Sequence, residues 1–319
     1  MISRPLHPPL PQQPSVHCAT LCQLPDGTLL AAWFGGTREL ARDVVILGAR
    51  LESGATTWSA PQVLVAVPGQ ALGQPVFLPL ADGRLRLFCN VVPPGERWTS
   101  AQPHFQDSAN GGRKWGPLQA LMDYPGLMFR SKPLHLPGRI LLPAYDERAW
   151  HSRMLISEDG GESWRLGEPI VSPPGNIHAC LVRLDDGGVL AYLRTGGQGG
   201  FLWRTVSREC GESWTLPQPT SIANPNAGLD LIRLTSGDLL LACNPVTRGR
   251  TPLALLLASH DEDWGKPLAL EEGEGEYSYP TLLQARDGMI HMVYTWRRER
   301  IQHVCFSETW WRQRLTPPA

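Results

Sequence analysis

The sequence predicts an all-β fold, a six-bladed β-propeller of four-stranded antiparallel blades, as a single domain over residues 1–319. Three observations predict it. A Ser/acid/Gly/Trp turn recurs with its tryptophan at 115, 164, 214 and 264, 49 or 50 residues apart. A second turn, usually Asp-Gly, keeps the same beat through six units. Gly (32) and Pro (30) together occupy about one position in five, which suits short strands and turns and disfavours long helices.

The strand pairs come first in each unit. Thr28-Leu-Leu-Ala-Ala-Trp33, Arg84-Leu-Arg-Leu-Phe88, Arg139-Ile-Leu-Leu-Pro143, Val189-Leu-Ala-Tyr-Leu193 and Met289-Ile-His-Met-Val-Tyr294 are short, apolar and turn-bounded, so they read as strands. The six hairpin turns are Pro25-Asp-Gly27, Ala81-Asp-Gly83, Pro137-Gly138, Asp185-Asp-Gly187, Ser236-Gly237 and Arg286-Asp-Gly288, and the five segments follow all of them but Ser236-Gly237.

The second turn closes each unit. Clear copies are Ser108-Ala-Asn110-Gly-Gly112-Arg-Lys-Trp115, Ser157-Glu-Asp159-Gly-Gly161-Glu-Ser-Trp164 and Ser207-Arg-Glu209-Cys-Gly211-Glu-Ser-Trp214, followed by a degenerate Ser259-His-Asp261-Glu-Asp-Trp264. Their side-chain oxygens bond turn amides, glycine supplies positive φ and tryptophan caps the sheet, so their purpose is structural. Trp58 is expected to end the first blade and Trp310 or Trp311 to close the last.

Composition excludes several functions. With 29 basic against 30 acidic residues there is no broad field to attract nucleic acid or an anionic membrane surface. No stretch approaches the roughly 18 apolar residues that would cross a bilayer. The opening residues lack the apolar core of a secretory signal, so a cytoplasmic location is expected. Seven scattered cysteines, including the pair Cys18 and Cys22, form no Cys-x-x-Cys motif, and neither a disulfide framework, a metal nor another cofactor is expected.

At the spacing Ser-x-Asp-x-Gly-x-x-Trp, the repeated turn resembles the Asp box of the sialidase (neuraminidase) superfamily, and the resemblance covers nearly the whole chain. It implies an active site on the propeller axis, at the ends of the innermost strands. The entries to that axis are His17-Cys-Ala19, Gln74-Pro-Val76, Arg130-Ser-Lys132, His178-Ala-Cys180, Asn226-Ala-Gly-Leu-Asp230 and Tyr277-Ser-Tyr279. Hydrogen-bonding or charged groups at every entry favour a ligand site over packing alone.

In sialidases a cluster of arginines binds the substrate carboxylate and a tyrosine attacks the anomeric carbon, since a neutral phenol avoids the repulsion a carboxylate nucleophile would meet. The segment Glu276-Tyr277-Ser278 resembles the family's tyrosine segment, which makes Tyr277 the matching nucleophile and Tyr279 its rival. Arg194, ending Leu190-Ala-Tyr-Leu-Arg194, and Arg250 resemble two of the family arginines. The loop Trp33-Phe-Gly-Gly-Thr-Arg38-Glu39 with Asp43 resembles the one supplying the acid/base carboxylate; Glu39 aligns better than Asp43, and Arg38 and Asp43 stand as substrate-binding candidates.

Two positions depart from the family. His17-Cys18-Ala19 stands where an Arg-Ile-Pro segment is usual, and His178 stands where the glutamate activating the tyrosine is usual. Histidine can act there as donor or base. Glu276, Glu274 and Asp230 are alternative bases; Gln74, Arg130, Lys132, Asn226 and, in second rank, Asp146, Glu147 and His303 are further binding candidates.

The expectation is therefore a retaining hydrolase of a terminal acidic sugar, with a small acidic sugar or glycan as its partner. Two alternatives use the same residues. One is a lyase that abstracts the C5 proton of a uronate through histidine or tyrosine. The other is a propeller that binds acidic glycans without turnover.

Overall fold

A computed structural model describes residues 1–196 and 200–315 of the chain. Six four-stranded antiparallel units surround an axis, each ordered from its innermost to its outermost strand. Blade 1 comprises Ser15–Gln23, Leu29–Gly36, Val45–Leu51 and Gln62–Val65; blade 2 comprises Ala71–Pro79, Leu85–Val92, Gln102–Ser108 and Gln119–Ala120. In blade 3 the inner strand is broken into Leu127–Phe129 and Leu134–Leu136, both paired to Arg139–Asp146, with His151–Ser157 and Arg165–Leu166 outside.

Blade 4 follows with Asn176–Arg183, Val189–Thr195, Phe201–Ser207 and Gln218–Ala223, and blade 5 with Asp230–Arg233, Leu239–Cys243, Leu253–Ala258 and Leu268–Glu271. Blade 6 takes Tyr277–Gln284, Ile290–Trp296 and Arg300–Phe306 from the end of the chain and Ile2–Pro5 from its start, in the register Ile2↔Cys305 to Pro5↔Gln302. This corrects the expectation that Trp310 or Trp311 closes the last blade. Those residues lie on a helix, Glu308–Leu315, whose Trp311 packs beside Phe306. Joining the two ends of the chain in one sheet leaves the ring without a seam.

Middle strands such as Leu85–Val92 are buried along their whole length because each blade is sandwiched between two others. The apolar core accordingly divides into one cluster per interface between blades: Leu72, Phe77 and Leu87 pack with Leu30 and Phe34 across blades 1 and 2, and Leu6, Trp33 and Leu47 pack with Val293 and Ile301 across blades 1 and 6.

The repeated turns fasten neighbouring blades. Ser157 donates to Asp159 at 2.8 Å and accepts the Gly161 amide at 2.7 Å; Ser108 makes the same bonds to Asn110 and Gly112. Gly161, at φ +100°, lies so near Leu80 of the preceding blade that an added Cβ would come within 2.8 Å of it, and Arg86 of blade 2 donates to the Gly161 carbonyl. In the hairpin turns, the amide two residues on caps each aspartate, as Thr28 does Asp26 at 2.9 Å.

The inner strands carry the feature that matters for function. Non-glycine residues stand at positive φ at Cys18 (58°), Gln74 (55°), His178 (55°), Asn226 (59°) and Tyr279 (54°), one in each of five blades. In blades 1, 2, 4 and 6 the strand register slips at these points. A bulge of this kind breaks the two-residue alternation and re-aims a side chain, at a conformational cost that persists only where the surroundings enforce it.

Candidate functional site on the axis

Tyr279 is the centre of the site. Its ring centroid lies 4.2 Å from that of His17 and 5.6 Å from that of His178, and the guanidinium carbons of Arg250, Arg130 and Arg194 stand 5.3, 5.4 and 5.9 Å from it. Arg194 donates to the phenolic oxygen at 2.9 Å. These groups come from blades 1, 3, 4, 5 and 6, so only ring closure assembles them.

Tyr277 does not share this place, which corrects its assignment as nucleophile. Its ring packs among Leu253, Leu255, Met292 and Tyr294 between blades 5 and 6, and its hydroxyl donates to the Glu274 carbonyl at 3.2 Å. Positions 277 and 279 would share a face in a regular strand; the bulge at Ser278–Thr281 puts them on different ones.

Glu276 is a counter-ion. It accepts from Arg250 at 2.6 Å, Arg298 at 3.0 Å and Ser278 at 2.7 Å. Burial alone would raise its carboxyl, but Arg250, Ser278 and Arg298 together hold it below the ordinary carboxylate value. Glu39 is engaged in the same way, by Arg298 at 2.6 Å and the Trp98 indole at 3.0 Å. Arg38 and Asp43 are exposed on the loop beyond, where Asp43 caps the Thr37 amide at 2.9 Å. Neither joins the ring of groups around Tyr279.

Arg130 crosses the axis from blade 3 to donate to the Pro280 carbonyl at 2.7 Å and to Thr281 at 3.2 Å. It is 3% exposed, and its Nε has no partner among the described residues. Arg194 is bonded by Asn226, whose Oδ1 accepts from Nε at 2.6 Å, and approaches His178 Nδ1 at 3.3 Å. Because a guanidinium only donates, that nitrogen's lone pair is taken, which corrects the reading of His178 as a base. Burial first, then Arg194, Arg130 and Arg250, push its imidazole well below the usual value.

Burial first, then Arg298, Arg250, Arg130 and Arg194, also depress His17, which bonds Thr295 at 2.9 Å and meets Arg298 at 3.4 Å. Gln74 accepts from the Cys18 thiol at 2.8 Å. Lys132 and Asp230 lie elsewhere, paired with one another beside a cavity of about 590 Å³ between the inner strands of blades 3, 4 and 5, toward the Asp-Gly turns. Asp230 also accepts the Leu282 amide at 2.6 Å, so both are held structurally. Asp146 caps a turn through the amides of Arg148 and Ala149, and His303 stacks on His291 beneath Trp58, away from the axis.

Three groups at the site escaped the sequence reading or ranked low in it. Arg298 reads as a basic hairpin tip in Trp296-Arg-Arg-Glu-Arg300, yet its carbonyl accepts the Val16 amide at 2.8 Å and its side chain folds back to Glu276 and Glu39. Trp150 stands over Arg194, 5.7 Å from its guanidinium carbon. Glu147 follows the second strand of blade 3 and is half-buried. Burial, opposed by Arg194 and aided by Asp146 and Glu39, pushes its carboxyl up to about 7. Among the described residues no group of three or more side chains is arranged to hold a metal ion, and no helix is long and apolar enough to cross a membrane.

The arrangement can bind an anion against guanidinium groups beside a phenol, with a carboxyl raised to about 7 nearby. Comparison with solved structures returns the same fold at low identity. A protein of unknown function from Dyadobacter fermentans DSM 18053 superposes with a TM-score of 0.79 at 17% identity over 95% of this chain and 98% of that one. The intramolecular trans-sialidase from Ruminococcus gnavus gives 0.80 at 15% over 96% of each chain. An α-L-arabinanase from Penicillium chrysogenum gives 0.73 at 16% over 96% and 98%. No curated protein matches the sequence. The BNR repeat-like domain model matches residues 27–292, nearly the whole ring of blades, and the chain belongs to that family.

Proposed function

We propose that the protein is a retaining glycoside hydrolase that removes a terminal acidic sugar, a sialic acid or related keto-acid sugar, with Tyr279 as nucleophile in place of Tyr277. The observation that carries this is the phenol of Tyr279 ringed by Arg130, Arg194 and Arg250 on the propeller axis. Guanidinium groups match a carboxylate in geometry and charge, and a phenol beside them can approach an anomeric carbon bearing that carboxylate without like-charge repulsion. The similarly folded trans-sialidase from Ruminococcus gnavus was solved with oseltamivir carboxylate, a ligand of the same charge type.

In this reading the substrate carboxylate sits on Arg194 and Arg250. Tyr279, its proton passing to solvent, bonds to the anomeric carbon as the glycosidic bond breaks. Glu147 gives its proton to the leaving oxygen and then takes one from the water that attacks the anomeric carbon, which breaks the bond to Tyr279, whose oxygen recovers a proton from solvent. Glu147 suits that exchange because it holds a proton near neutral pH. Glu39, tied to Arg298 and Trp98, orients the rim.

Release of 4-methylumbelliferone from its α-N-acetylneuraminide, with NMR of the first sugar anomer, tests the reading. A first product of retained configuration is expected; inversion, or no turnover of any acidic glycoside, overturns it.

One observation favours a second reading, that of a glycan-binding propeller without turnover. The Tyr279 hydroxyl accepts from Arg194, and no carboxylate is bonded to it among the described residues. Calorimetric binding of an acidic sugar, lost in Arg250→Ala and unaccompanied by turnover, is its signature. The lyase alternative loses its histidine bases, since Arg194 occupies the acceptor nitrogen of His178 and Arg298 that of His17, and keeps only the phenol of Tyr279.

A further inference from the structure

Arg194 is a buried cation, 8% exposed, and every group it bonds is neutral. Its Nε donates to Asn226, and one terminal nitrogen serves both Tyr279 at 2.9 Å and His178 Nδ1 at 3.3 Å. No carboxylate lies within ion-pair distance of it among the described residues. Arg250 and Arg298 are the contrast: the first is paired with Glu276, the second with both Glu276 and Glu39.

Donor and acceptor rules fix the state of the imidazole. Arginine offers only N–H groups, so His178 Nδ1 must present its lone pair. The proton then resides on Nε2, which faces the Tyr145 hydroxyl at 3.3 Å and donates to it. His17 stands toward Arg298 in the same relation, but Arg298 already has two carboxylates, so nothing further is gained there.

A carboxylate could orient Arg194 equally well, but it would also cancel the charge on which a ligand anion must land. A neutral acceptor orients without cancelling. His178 and Asn226 both stand in the left-handed backbone region, at 55° and 59°, so the fold carries strain at the two residues that point these acceptors inward.

We propose that His178 and Asn226 are positioning residues, neutral acceptors that lock the Arg194 guanidinium and leave its whole charge for the carboxylate of the ligand. The inference rests on the acidic-sugar reading for its ligand class, and on geometry alone for the state of the histidine.

Two measurements test it. Long-range 15N–1H NMR of the full chain labelled at histidine should show His178 with an unprotonated Nδ1 and a protonated Nε2 at neutral pH; a protonated Nδ1 overturns the proposal. Calorimetry with 2-deoxy-2,3-didehydro-N-acetylneuraminic acid then compares His178→Asn with His178→Asp, two residues that tolerate positive φ and differ in charge. Asparagine returns an acceptor and should bind within about threefold of wild type, whereas aspartate should weaken binding roughly tenfold or more. Equal affinity of the two variants overturns the proposal. A wild-type protein that binds no acidic sugar overturns the functional reading instead, and the tautomer alone then decides the state of His178.

Discussion

The guanidinium of Arg194, carried on the fourth blade, donates to the phenol of Tyr279 on the sixth at 2.9 Å. Residues 85 positions apart thus meet on the axis, and each constrains what the other can do. Tyr279 helps to hold the group proposed to bind the anion, and Arg194 faces the oxygen proposed to attack the sugar.

Replacing Arg194 with methionine should separate stability from function. A buried cation without a counter-ion costs folding energy, so Arg194→Met should keep or raise stability, by about 1 kcal/mol, as an apolar replacement of a buried charge often does. Binding of an acidic sugar should fall roughly 100-fold with the loss of a charge-assisted contact. Thermal denaturation and calorimetry on one preparation read both effects.

The two tyrosines should differ in kind. Tyr279→Phe is expected to lower kcat by about a thousandfold or more, because the covalent route is lost with the nucleophile. Tyr277→Phe gives up the bonds to the Glu274 carbonyl and Arg297 while keeping its ring in the core, and should cost about 1 kcal/mol of stability with kcat changed less than about threefold. The reverse pattern would return the nucleophile to position 277.

Glu147 sets the expected pH dependence. With its carboxyl raised to about 7, activity should decline as pH climbs through that value and the leaving oxygen loses its acid. The unfolded carboxyl releases its proton near 4.5, so this residue's contribution to stability is full below 4.5 and is lost as pH rises toward 7. Glu147→Gln should therefore abolish turnover of unactivated substrates yet melt higher than wild type at pH 8.

Glu276 behaves oppositely. Its folded carboxyl is depressed, so its contribution is present above the ordinary carboxylate value and is lost as pH falls below it. Glu276→Gln leaves Arg250 without its carboxylate and Arg298 with Glu39 alone, and a loss of about 1–3 kcal/mol is expected from urea denaturation at neutral pH.

Closure of the ring can be tested by removing residues 1–5. The deletion uncovers the edge of Arg300–Phe306 and should lower Tm by about 5 °C or more, with a greater tendency to associate through the open edge. A Tm equal to that of the full chain would show that the sixth blade holds without its outer strand.

Much of the architecture was legible because it is encoded locally and repeatedly. The hairpin and Trp-bearing turns depend on residues within about eight positions of one another, so their spacing reported six units and the inner-strand entries. His17, Gln74, Arg130, His178, Asn226 and Tyr279 were all within those entries.

What the chain order could not convey was which side chain of an entry faces the axis. Periodicity places Tyr277 and Tyr279 on one face, and only the bulge, a local strain enforced by neighbouring blades, turns Tyr279 alone toward Arg194. The sequence around Arg298 names no partner for it; Glu39 becomes one only when blade 1 is set beside blade 6. Short-range backbone chemistry, then, was written in the sequence. The pairing of charges and the aim of each strained residue were decided by closure of the ring, which brings groups more than 250 positions apart, such as Glu39 and Arg298, into one partly buried site where neighbours set each group's role.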